Sequence, residues 1–314
     1  MDGLSLIIVS ILPPFLLLGL GALARRVNWL KAEADSSLSM VTIRILYPCF
    51  IIYHILCTDH LEVTYVSVLT PIFGFLSILI GFALAWLTSR AFRIEPTAAK
   101  SFRFCSGIFN YGFIAIPVAN SIFGSDIIVR IILFNLGVEI AIWTVGILIL
   151  TQKKFRFSGI VNPPVISVIL ALCLQSFGGV RIIPTYLFDV IQMLGQCSIP
   201  IGLLLIGGSF YQLMKNFKFS SHYKTETAAV VTRNILFPLC IMLFILLIPM
   251  PVGMEWMNQI LIIQAAMPAG IFAVVIVGSY SEDRETAMRS IMSTMVAGVL
   301  TIPVWIAIGL KVIN

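Results

Sequence analysis

The sequence predicts an all-α membrane protein. Ten transmembrane helices form two five-helix repeats of opposite orientation, with helices 4 and 9 broken and crossing near the midplane. Three observations predict it. Of 314 residues, 59% are hydrophobic and only 11% are charged, against about 25% charged in an ordinary soluble domain. Basic residues recur in every second loop between apolar runs. Prolines recur at nearly one offset in the two halves of the chain.

At about 20 residues per span, the apolar runs read as spans at about 4–24, 37–57, 65–89, 102–123, 128–150, 160–178, 185–211, 226–248, 256–280 and 287–311. Loops 25–36, 90–101, 151–159, 212–225 and 281–286 carry Arg25, Arg26, Lys31, Arg90, Arg93, Lys153, Lys154, Arg156, Lys215 and Lys218. Segment 58–64 instead carries Asp59 and Glu62. By the positive-inside rule the basic loops are cytoplasmic, so both termini lie outside a plasma (inner) membrane crossed many times. The net charge of +6 is thereby a topology signal and not a nucleic-acid footprint. Met1–Leu4 carries no positive charge, and Arg25–Arg26 follows the first apolar run, so that run reads as a helix and not as a cleavable leader. The chain reads as one membrane domain in two halves, 1–150 and 151–314. The six cysteines lie in or beside apolar runs without CxxC or zinc spacing, and read as buried small apolar residues.

Pro13-Pro14, Pro48 and Pro117 are followed by Pro163-Pro164, Pro200 and Pro268, at offsets of 150, 152 and 151. Five spans per copy is an odd number, so the second copy enters the membrane inverted. Breaks at matching positions of an inverted repeat point to a secondary transporter's binding site. In SGIFNYGFIAIPVANSIF, residues 106–123, Pro117 lacks an N–H for the carbonyl of Phe113, and Gly112 weakens the same turn. Asn110 offers two amide donors without a charge. At 1.5 Å per residue it lies roughly 12 Å into span 4, and Pro268 roughly 18 Å into span 9. Half-helix N-termini at Gly112–Pro117 and Pro268–Gly270 would attract a carboxylate. The candidate substrate-binding residues are therefore Asn110, Tyr111, Gly112, Pro117, Gln264, Pro268, Ala269 and Gly270.

Glu139 is the one acid in mid-span, roughly 17 Å into span 5. It is the candidate for proton coupling, with a neutral or arginine-paired structural acid as the alternative. Arg44 and Arg233 read as snorkelling to the cytoplasmic interface, the alternative being a counter-charge for Glu139 or a substrate. Asp189 reads as interfacial and His54 as a hydrogen-bonded helix residue. Gly19, Gly21, Gly207 and Gly208 read as close-packing positions. One mid-span acid and three histidines supply no paired aspartates, Ser–His pair or metal cluster, so no enzyme, cofactor or metal site is expected.

ALARRVNWLKAEADSSLSMVTIRILYPCFIIYHIL, FNYGFIAIPVANSIFG, LGQCSIPIGLLLIGGSF and IIQAAMPAGIFAVVIVGSY resemble the auxin efflux carrier family over nearly the whole chain. The resemblance implies a fold like that of bile-acid symporters and sodium/proton antiporters. It also implies spans 4 and 9 crossing at Pro117 and Pro268, with the carboxylate-binding asparagine at Asn110. Departures are Ala273 where plant members have a second proline, Gly278 where they have lysine, and a central loop of only Thr151–Ser158. The substrate class is accordingly a small mono- or dicarboxylate, as implied for bacterial-type members. A secondary transporter with alternating access is the expected function, and an anion channel or a transporter-derived receptor the alternative. Expected partners are the carboxylate, protons or sodium, the lipid bilayer and a second copy of the chain.

Overall fold

The computed structural model describes residues 3–58, 65–151, 162–216, 223–280 and 283–313. The expected loop residues at 59–64, 152–161 and 217–222 lie outside the described residues. The described chain is helical apart from connections and one isolated bridge. Its helices are α1 (Gly3–Arg26), α2 (Ala34–Leu56), α3 (Tyr65–Ala91), α4 (Pro96–Gly107), α5 (Ala115–Phe123) and α6 (Asp126–Thr151). They continue as α7 (Pro163–Ser176), α8 (Thr185–Asn216), α9 (Tyr223–Leu247), α10 (Trp256–Ala266), α11 (Phe272–Tyr280) and α12 (Arg284–Ile313).

Among the described residues, six helices are long and apolar enough to cross a membrane by length and composition: α2, α6, α9 and α12 over their full ranges, with Leu69–Ala91 of α3 and Thr185–Gln212 of α8. Expected spans 4 and 9 are absent from that set because each is cut in two. Their pieces are 12 and 9 residues in one case and 11 and 9 in the other, and a single helix needs about 17–25.

The helices sort into two groups. In the first, α1 runs along α8, α8 along α2, and α2 along α7. In the second, α3 packs on α4 and α6, while α12 gathers α4, α9 and α10. The groups meet where α1 touches α5 and α12, and where α2 and α7 touch α6. Each group thus draws helices from both halves of the chain. The α1–α8 seam is close because Gly21 lies against the Leu204 carbonyl and Gly207 against the Leu18 carbonyl, so any side chain there would collide with backbone. Gly19 faces open space, and Gly208 lies under the Arg25 and Leu30 side chains.

Proline shapes three long helices in different ways. Pro48 and Pro238 each follow a π-helical turn, Thr42–Leu46 and Val231–Leu236, where the missing N–H and the ring open the ladder upstream. Pro200 lies within the uninterrupted run of α8. Prolines at matching offsets therefore occupy unlike positions. Pro13 and Pro14 lie inside α1, whereas Pro163 and Pro164 open α7 behind the Asn162 cap. The cysteines also depart from expectation. Only Cys105 is buried; Cys57, Cys173 and Cys197 are exposed on the surface that would face lipid or its border.

Candidate functional site

The two cut helices meet by backbone pairing. Phe109 and Ala269 form an antiparallel bridge: the N–H of Asn110 donates to the Pro268 carbonyl at 2.8 Å, and that of Gly270 to the Ile108 carbonyl at 3.0 Å. The sequence explains why the second strand of this pair is extended. A residue before proline is pushed out of the α region, and Met267 has φ −70° and ψ 142°. Gly270 permits the approach, since a Cβ there would come within 3.0 Å of the Phe109 carbonyl oxygen. The Ala269 N–H donates to Thr294 Oγ1 of α12 at 3.2 Å. Polar backbone at membrane depth is thus buried in protein, as it must be.

The crossing lies at Phe109 and Ala269, and not at Pro117. Pro117 is the third residue of α5. The Ile116 N–H reaches the Gly112 carbonyl at 2.9 Å and the Val118 N–H the Ile114 carbonyl at 3.3 Å, so the N–H missing at Pro117 leaves out the Phe113 carbonyl between them. That loss falls inside the first turn of α5 and does not make the gap. The gap between α4 and α5 is opened by the extended Ile108, at φ −99° and ψ 126°, and by the pairing itself.

Around the crossing the structure gathers most of the expected residues and several others. The Tyr111 carbonyl accepts from Asn135 Nδ2 at 3.0 Å and Gln264 Nε2 at 3.3 Å. The Tyr111 hydroxyl donates to Glu139 Oε1 at 2.5 Å. Glu139 Oε2 accepts from Trp143 Nε1 at 2.9 Å and from Asn162 Nδ2 at 3.1 Å. Asn110 itself is buried, and its amide side chain has no hydrogen-bond partner among the described residues. Gly112 faces the Tyr47 hydroxyl, which a Cβ would approach at 3.6 Å. Tyr47, Tyr111, Asn135, Glu139, Pro164 and Val165 enclose a cavity of about 10 Å³, the threshold for one water molecule. The site is closed in this conformation.

Asn135, Trp143, Asn162 and Tyr47 were not singled out from the sequence. A signal was present for two of them: Asn135, Glu139 and Trp143 are spaced by four residues and share one helix face. Tyr47 and Asn162 come from the other helix group, and nothing local marks them.

The arginines separate. Arg44 is exposed, as a snorkelling residue should be. Arg233 does not snorkel. It is 0% exposed, walled by α9's packing against α3, α10 and α12. Its guanidinium lies 3.7 Å from the Phe237 ring centroid and 5.2 Å from that of Phe109. One amine donates to the Ala265 carbonyl at 3.3 Å, in the last turn of α10, while Nε and the other amine have no partner. Among the described residues no acid pairs with it. Nor does any basic residue pair with Glu139 there. Asp189 is exposed, and the His54 ring lies tilted against that of Phe50, with ring centroids 4.4 Å apart and planes inclined by 58°.

A sequence model of a family described as membrane transport protein matches residues 6–157 and 150–306. An uncharacterized transporter of Methanothermobacter thermautotrophicus is 21% identical over 94% of this chain and 96% of its own length. Another, from Methanocaldococcus jannaschii, is 26% identical over 75% of this chain and 77% of its own.

Proposed function

Because the chain belongs to the membrane transport protein family, which is auxin efflux carrier-like, we propose that it is a secondary active transporter of a small mono- or dicarboxylate. The observation that carries the anion is Arg233, fully buried against the crossing without an acidic partner among the described residues. An uncompensated charge in a low-dielectric interior is costly, and a bound carboxylate offsets it. The Asn110 amide, lying on the bridge itself, donates to the same carboxylate. Tyr111, Gly112, Gln264, Pro268, Ala269 and Gly270 shape the site, and Pro117 serves only to start α5.

In this reading the chain has ten spans, α1, α7 and the two broken pairs joining the six long helices. The halves 1–150 and 151–314 are inverted repeats in a plasma membrane, with both termini outside. Alternating access follows from movement of the α1–α2–α7–α8 group against the other. Glu139 stands at the contact between the groups and carries a proton through the cycle.

The test uses purified protein, small carboxylates and a thermal-shift readout at two pH values. Mono- or dicarboxylates should raise the melting temperature by mass action, and the same compounds should drive counterflow in proteoliposomes. Stabilisation by amines or sugars but by no carboxylate would sink the anion assignment. Saturable binding without counterflow would favour a receptor.

A further inference from the structure

Helix α12 carries a stripe of four residues that reaches both the second break and the buried arginine. Thr294, Gly298, Thr301 and Trp305 recur at spacings of four, three and four, so they share one helix face. The first two hold the break. Thr294 Oγ1 accepts the Ala269 N–H at 3.2 Å, and a Cβ at Gly298 would stand 3.4 Å from the Pro268 ring. The stripe also holds α9, at the residue next to Arg233. Asn234 Nδ2 donates to Thr301 Oγ1 at 2.9 Å and to the Thr294 carbonyl at 3.1 Å. In return, Trp305 Nε1 donates to the Asn234 carbonyl at 2.7 Å.

The sequence builds this contact. Pro238 brings no N–H to the carbonyl four residues upstream, which is that of Asn234. The π turn at Val231–Leu236 widens the helix at the same place, and the Phe237 N–H reaches five residues back, to the Thr232 carbonyl. In a membrane interior a carbonyl deprived of its helical donor must find another, and the Trp305 indole supplies it. Both amide hydrogens of Asn234 are spent on α12, but its Oδ1 is buried without a partner among the described residues. Buried polar atoms are almost always paired, so the orphaned oxygen marks Asn234 as kept for where it holds the helix and not for its own bonding.

We infer that Asn234 is a positioning residue: clamped to α12 by Thr294, Thr301 and Trp305, it fixes Arg233 relative to the broken backbone of α10–α11. The two neighbours leave α9 in different directions, Asn234 onto α12 and Arg233 toward Phe109 and the Ala265 carbonyl. The helix that takes up the Ala269 N–H therefore also sets the cation. Charge and crossing are held at one spacing before a carboxylate arrives, and such preorganisation lowers the cost of binding. The inference rests on the assignment of Arg233 to the substrate, because Asn234 and Trp305 act only through it.

The test compares three variants of the purified protein. Thr301→Val removes the acceptor at nearly constant shape, Thr301→Ser keeps it, and Trp305→Phe removes the indole donor but keeps a ring. Acetate and succinate are titrated by thermal shift, and hydrogen exchange is followed by mass spectrometry over 231–237. Thr301→Val and Trp305→Phe should raise the half-saturating carboxylate at least fivefold and speed exchange at 231–237 at least tenfold. Thr301→Ser should stay within twofold of the parent in both. A lower melting temperature in Thr301→Val and Trp305→Phe, with affinity and exchange unchanged, would make the contact a strut and overturn the inference. If neither acid stabilises the parent, the carboxylate reading fails instead, and exchange alone decides whether Asn234 holds the turn.

Discussion

The two broken helices meet at one bridge, yet they are held open by different means. The second, α10–α11, has its proline in the gap, and its N–H at Ala269 is taken by Thr294. Its last carbonyls face Arg233, a cation where a helix C-terminus favours one. The first, α4–α5, has no proline in its gap. Its last residue, Gly107, meets Gly81 and the Phe82 ring of α3, so its carbonyl end faces hydrocarbon. The longer gap of the first break carries Asn110 and Tyr111, and through Tyr111 reaches Glu139. One break is fixed by proline and a cation; the other bears Asn110 and Tyr111, the groups the proposal gives to the substrate and, through Glu139, to the proton.

Five substitutions test that division, from the largest expected effect to the smallest. Glu139→Gln should abolish pH-driven accumulation in proteoliposomes while substrate exchange persists; unchanged pH dependence would reduce the acid to a structural hydrogen-bond acceptor. Arg233→Met removes the cation but keeps the length. It should weaken carboxylate binding by about 2–5 kcal/mol, at least 30-fold in Kd. The melting temperature should hold or rise, because an apolar replacement of a buried charge is commonly neutral or stabilising. A large drop in melting temperature with affinity intact would make Arg233 a strut for α10. Asn110→Ala should weaken binding by about 1.5–3 kcal/mol, one charge-assisted hydrogen bond, again without loss of stability. If it binds as tightly as the parent, the carboxylate sits elsewhere. Last, Pro268→Ala should slow transport several-fold by letting α10 extend, whereas Pro117→Ala should leave transport unchanged and alter stability by no more than about 0.5 kcal/mol. Equal effects at the two prolines would erase the asymmetry.

Much of this was legible from residue types. Met-Pro-Ala-Gly at 267–270 announces a break, because proline removes a donor and constrains its predecessor, and the structure breaks there. The partner break was located by the wrong residue. Pro117 looked like the cause, but it lies inside the first turn of α5, and the opening at Ile108–Asn110 depends on pairing with a segment 160 residues away. No local pattern encodes such a contact. For the same reason the proline offset of 151 misjudges the crossing. Glu139 was legible as an isolated acid in an apolar run; its donors Tyr111 and Asn162 were not, since they come from other helices. Arg233 was misread because distance from a helix end says nothing about which neighbours wall off the route to water.

Asn162 joins two tasks in one amide. Its Oδ1 receives the Val165 N–H at 3.0 Å and starts α7, while its Nδ2 holds Glu139 at 3.1 Å across the contact between the helix groups. Any sliding of α7 past α6 must first part that second bond, and neutralising the carboxylate weakens it, since hydrogen bonds to charged acceptors are roughly twice as strong. In the proposed proton-coupled cycle Asn162 is a clutch: engaged while Glu139 is ionised, and slipping once a proton arrives. Under that proposal, loading the ion and releasing the mechanics are one event, governed by a side chain seated at its own helix end.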